Sequence, residues 1–148
     1  MPMVGTGEER HWGDPERSQN REVFARGEVP MAMIWLTVGS LMGLLLEIVY
    51  LGQWVHIGSA AIPLPWTIPV AYLLNLTITR TALLWTERSI IAAVPLIAWV
   101  AGFTLVLLWS GLPFGGDQAL GPWLRTVLLL AAGTAGGGWP LLRRAAQP

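Results

Sequence analysis

Cysteine is absent from the 148 residues. That excludes disulfides, thiolate nucleophiles, lipid attachment through a thioether and Cys-ligated metal together. Lysine is absent too, and all nine basic residues are Arg. Beside abundant Ala and Gly, this points to the codon usage of a GC-rich, actinobacterial genome. There are only two His, His11 and His56, and charged residues make up 12% of the chain. A soluble domain carries roughly 25%. Net charge is zero, so no basic field exists to attract nucleic acid.

Apolar residues are plentiful, at 53% of the chain, with a mean hydropathy of +0.53 and nine Trp. Ten of the eighteen charges crowd into residues 1–28. That stretch is polar, mixed in sign and too poor in apolar side chains to build a core, so it reads as a disordered cytoplasmic tail. It also lacks the basic start and apolar centre of a signal peptide. His11 and Trp12 lie in it, and Arg21, Phe24 and Arg26 could form a short turn on the membrane surface.

Four runs, 31–51, 64–84, 90–109 and 122–142, are each long enough to cross a hydrocarbon core, which takes about 20 helical residues. Backbone groups in lipid must bond within their own segment, so the runs are expected to be helices. Inside them only Glu47, Arg80 and Arg125 are charged. The joint 85–88 is so short that the second and third runs are expected to form a tight antiparallel hairpin. Pro69 and Pro95 are expected to kink their helices.

With four crossings, Arg10, Arg17, Arg21, Arg26, Arg80, Arg88, Arg143 and Arg144 fall on one side, opposite Arg125 alone. The positive-inside rule places that side in the cytoplasm. Trp54, Trp66, Trp85, Trp109, Trp123 and Trp139 fall near the ends of the runs, where aromatic belts form. The expected fold is therefore an all-α integral membrane four-helix bundle with both termini inside. It comprises a tail of residues 1–28, a bundle over 29–144 and a C-terminal tail of 145–148.

Catalytic constellations are missing from this pattern. Two His on opposite sides cannot gather a metal's three or four ligands. Ser40 has no His at membrane depth to activate it. The run Gly136-Gly137-Gly138 lacks the Lys and Ser/Thr of a phosphate loop. Neither catalysis nor a cofactor is expected. The expected partners are the bilayer itself and either a larger membrane protein or a second copy of the chain.

The candidate functional residues are polar groups at membrane depth, which are costly there and usually paired. Glu47 shares a helix face with Gly39, Gly43 and Tyr50, with Ser40 beside it. Arg125, Leu129, Gly133 and Gly137 form a matching stripe in the last run. Gly39-xxx-Gly43 and Gly133-xxx-Gly137 are both small-xxx-small repeats that allow close helix approach. The expectation is that Glu47 pairs with Arg125 and clamps the first helix to the last. Asn75, with Tyr72 and Thr79 on its face, is expected to bond across to another helix. Arg80 can reach the headgroups along its own stem.

Pro65-Trp66 opening the second run, Gly116-Asp117 in the second outer loop and Trp123-Leu124-Arg125 opening a Gly-rich last run carry a resemblance. Over residues 31–142 the chain resembles an actinobacterial family of uncharacterised small four-helix membrane proteins, often encoded near the deacetylase of mycothiol biosynthesis. The resemblance implies fold and host but no activity. The small multidrug exporters also have four helices and an essential Glu in the first. Their short tails and balanced charges differ from the one-sided Arg distribution here. Two functions are left open: an accessory or assembly protein, and a proton- or solute-coupled transporter that titrates Glu47.

Overall fold

The computed structural model describes residues 27–51, 54–57, 59–63, 66–117, 120 and 122–146. The tail of residues 1–26, with His11, Trp12, Arg21, Phe24 and Arg26, lies outside the described residues, as do Gly52, Gly58, Pro65 and Gly121. The elements are α1 (Glu28–Leu51), β1 (Trp54–Ile57), β2 (Ala60–Pro63), α2 (Thr67–Trp85), α3 (Ser89–Ala92), α4 (Val94–Leu108) and α5 (Trp123–Ala145). A 3-10 turn, Trp109–Gly111, prolongs α4.

Three helices, Glu28–Leu51, Thr67–Trp85 and Val94–Gly111, are long and apolar enough to cross a membrane. This is a mostly helical, membrane-embedded protein. The fourth run differs from the expectation. α5 has 23 residues but falls short of the apolarity of the other three, because Gly, Thr and Arg dilute its leucines. Its buried face is made of Thr126, Leu129, Gly133, Gly136, Gly137 and Pro140. It is a face chosen for close fit rather than for hydrophobicity.

Three further departures follow from local chemistry. The connection between α1 and α2 contains an antiparallel hairpin, with Trp54 opposite Pro63 and Ile57 opposite Ala60. The two residues between the strands are Gly58 and Ser59, a Gly-first pair typical of two-residue hairpins. The third run is not one helix but two, broken at Ala93 just ahead of Pro95. Proline disfavours helical backbone in the residue before it and donates no hydrogen bond. Pro69 produces no such break, since it occupies the first turn of α2, where its missing N–H would have had no partner anyway.

The expected hairpin of the second and third runs also does not form. α4 packs chiefly on α1, and α2 packs most extensively on α5. α3 and the break at Ala93 carry the chain from α2 to the diagonally opposite position. Neighbouring helices therefore run α1–α2–α5–α4 around the domain, with only slight contact between α2 and α4. Ser40 meets Pro95 and Glu47 meets Trp99, so α1 and α4 run in the same direction.

Core packing has two centres. Leu44, Leu51, Ala71, Trp99, Phe103, Leu120 and Leu129 form the larger, with the Trp99 and Phe103 rings stacked at 5.5 Å. Met33, Ala82 and Ala92 form the smaller, near the other end. The outward faces carry exposed Trp35, Leu46, Val49, Leu73, Leu84 and Ile90, as helices surrounded by lipid should.

Glycine placement refines the small-residue stripes. A side chain at Gly136 would strike the Tyr72 backbone of α2, at Gly133 the Trp99 indole, and at Gly137 the Leu96 side chain. At Gly43 it would strike Leu74 of α2. Gly39 is exposed with open space beside it. Eight residues from Glu47 is about 80° around the helix, whereas seven residues, at Ser40, is about 20°. The glycines of the first and last helices therefore do not meet each other: α5 spends its glycines on α2 and α4.

Gly136→Ala should destabilise the fold by about 1–3 kcal/mol, because the obstacle is rigid backbone. Gly39→Ala should be neutral or slightly stabilising. Thermal unfolding of both variants in mild detergent checks the contrast, and equal losses would contradict the packing described.

Candidate functional site: a buried carboxylate between α1 and α4

Position 47 lies on the stripe of α1 that also buries Met33, Ser40, Leu44 and Leu51. The spacing of three and four residues keeps these on one side of the helix. Glu47 is only 2% exposed. A carboxylate there needs donors, since an unpaired buried charge is far costlier than an unpaired hydroxyl. Its Oε2 accepts a hydrogen bond of 3.0 Å from Nε1 of Trp99 on α4. Its Oε1 is buried without a hydrogen-bond partner.

Two turns earlier on α1, the Ser40 hydroxyl donates to the Pro95 carbonyl at 3.0 Å. Both polar groups on this face of α1 thus reach α4. The Trp99 indole lies at 0% exposure, seated over Gly133 of α5. Glycine at 133 is what allows a ring of that size to lie flat between three helices with its N–H aimed at Glu47.

Arg125 is not the partner of Glu47. Its Nη1 donates to the carbonyl of Leu51, the last residue of α1, at 3.4 Å. The last four carbonyls of a helix have no partner inside it, and a cation there also meets the negative end of the helix dipole. Arg144, in the last turn of α5, does the same for α2: its Nη1 donates to the Leu83 carbonyl at 3.4 Å. α5 thus brings one guanidinium to the C-terminal end of α1, which runs antiparallel to it, and one to that of α2, which runs parallel to it. The expected link between the first and last helices is present, but it runs through backbone rather than through Glu47.

Asn75 is 1% exposed, and its Nδ2 donates to Ala71 of its own helix at 3.0 Å. The expected bond to another helix is replaced by this return to the preceding turn, a common resort of short polar side chains inside helices. Thr79 and Thr67 of α2 are also buried, each with a hydroxyl oxygen lacking a partner. Tyr50 rests against Trp66, ring centres 5.6 Å apart. Among the described residues, no three of His, Asp or Glu gather as metal ligands. The side chain of His56 lies outside the described residues.

Trp99 is the residue that sequence reasoning missed. Its signal was its depth: it lies in the middle of an uncharged run, away from the ends where the other belt tryptophans fall. An indole N–H in hydrocarbon needs an acceptor. The only carboxylate within the spanning runs is Glu47.

Compared with known proteins, the chain matches no family model, no curated protein and no solved structure.

Double-mutant cycles separate the two partnerships for Glu47. Glu47→Leu with Trp99→Phe should show a coupling near 1 kcal/mol, the scale of a net hydrogen bond. Glu47→Gln with Arg125→Gln should be additive within about 0.5 kcal/mol. Unfolding in detergent gives both numbers, and the reverse order would reinstate the ion pair.

Proposed function

We propose that the chain is a small accessory or assembly protein of the plasma membrane, a four-helix bundle that crosses four times with both termini in the cytoplasm. The actinobacterial setting implied by the resemblance belongs to the same proposal. α5 supplies the fourth crossing: at 1.5 Å per residue it is about 34 Å long, and it lies lengthwise against α2. The Arg144 contact with Leu83 sets its C-terminal end beside the α2–α3 joint. Arg80, Arg88, Arg143 and Arg144 therefore share one end, which supports the cytoplasmic assignment by the positive-inside rule.

One observation carries the functional reading. Four polar side chains join helices, Glu47 with Trp99, Ser40 with Pro95, Arg125 with Leu51 and Arg144 with Leu83, while Asn75 bonds within its own helix. Such a device holds a shape, and among the described residues no nucleophile and base are paired with it. What it presents to other molecules is its apolar outer face, in particular Trp35, Leu46 and Val49 of α1. A larger membrane protein or a second copy is the partner such a face fits.

The unpartnered Oε1 of Glu47 favours a second reading, a proton- or solute-coupled transporter titrating there. The two readings separate in reconstituted liposomes. The accessory reading expects no proton flux that depends on Glu47, and a discrete protein adduct when a photocrosslinker at Val49 is activated in native membranes. Lipid adducts alone, together with a flux abolished by a folded Glu47→Gln variant, would establish transport instead. Topology has its own test in a chain without native Cys: Asp117→Cys should be labelled by an impermeant reagent from outside intact cells and Ala146→Cys should be protected.

A further inference from the structure

Three arginines from two helices converge where α2 and α5 end together. Arg80 of α2 and Arg143 and Arg144 of α5 line an open recess of about 390 Å³, whose remaining walls are Leu83, Trp139 and Pro140. Among the described residues no carboxylate lines it. The Arg143 guanidinium lies over the Trp139 ring, 4.9 Å from its centre. Arg144 uses one donor on the Leu83 carbonyl and has others to spare. Arg80 is exposed and makes no hydrogen bond or ion pair among the described residues.

Depth and charge together define what the recess suits. Arg80 is five residues short of Trp85, the last residue of α2, so its Cα lies about 7–8 Å inside the helix end. Its stem can therefore run along apolar surface while its head reaches the interface. Three cations gathered around one hollow repel each other unless an anion lies among them. Guanidinium forks match phosphate oxygens two at a time. The apolar walls of Leu83, Trp139 and Pro140 are of no use to a free anion but suit the glycerol end of a lipid. Basic hollows between membrane helices at headgroup depth are sites for anionic lipids.

We propose that this recess binds the phosphodiester headgroup of an anionic glycerophospholipid, with Arg80, Arg143 and Arg144 around the phosphate and the acyl chains passing Leu83 into the bilayer. Separate snorkelling of three arginines accounts for their exposure but not for their convergence on one hollow, nor for the stacking of Arg143 on Trp139. The site stands apart from Glu47 and from the choice between accessory protein and transporter. It requires only that the end of α2 lie at a membrane surface.

The full chain, purified in a neutral detergent, would be titrated with phosphatidylglycerol, phosphatidylcholine and inorganic phosphate, reading retained lipid by native mass spectrometry. Phosphatidylglycerol should be retained at least tenfold more tightly than phosphatidylcholine, with the preference shrinking at high salt. The pair Arg80→Gln and Arg143→Gln should remove that preference, while Arg88→Gln, at the same end but outside the recess, should keep it. Should the double variant not fold, Arg80→Lys keeps the charge but not the fork, and a several-fold loss of preference is expected. Equal retention of the two lipids would overturn the proposal, as would an equal loss in Arg88→Gln or an unchanged preference in Arg80→Lys. Displacement of the lipid by inorganic phosphate at similar concentration would assign the recess to a soluble anion and overturn the lipid.

Discussion

A carboxylate inside a membrane domain must be given a donor, and in this protein that requirement organises the interior. Glu47 lies on the face of α1 that, among the described residues, is covered by other helices. Its donor is the Trp99 indole, and Trp99 fits only because Gly133 of α5 leaves room for the ring. One hydrogen bond thus fixes the rotation of α1, the placement of α4 beside it and the identity of a residue on a third helix. The crossing of α4 to the side of α1 brings Trp99 to Glu47, and the break at Ala93 lies where that crossing begins.

α5 solves a different problem. Helices of nearly continuous apolar sequence have no hydrophobic reason to prefer one another over lipid, so their association depends on close packing and on polar contacts. α5 supplies both. Its glycines admit the Tyr72 backbone, the Leu96 side chain and the Trp99 ring. Two of its three arginines, Arg125 and Arg144 near opposite ends, donate to terminal carbonyls of α1 and α2. This explains why the least apolar of the long helices is the one with the most extensive partner.

The lipid recess follows from the same geometry. Laying α5 along α2 brings Arg143 and Arg144 to the level of Arg80, which lies some sixty residues earlier in the chain. Arg144 is turned to the Leu83 carbonyl and Arg143 to Trp139, so the hollow is lined by side chains already held in place. A headgroup bound there would join the ends of two helices that the backbone leaves unconnected.

Sequence by itself determined the membrane character, the approximate positions of the long helices and the short list of polar residues that had to matter. These follow from run length, composition and the cost of charge in lipid, all of which act locally. The break before Pro95 and the absence of one at Pro69 were also local, decided by the position of each proline within its helix. Which polar residue meets which was not local. Glu47 and Arg125 had matching depths, yet α1 and α5 touch through the Leu51 carbonyl, and Asn75 turned back to Ala71. Helices with apolar faces on several sides carry little rotational information in their pattern. Only the tertiary structure, by seating Trp99 over Gly133 and sending α4 to the side of α1, decided which face each helix turned inward and so which groups could bond.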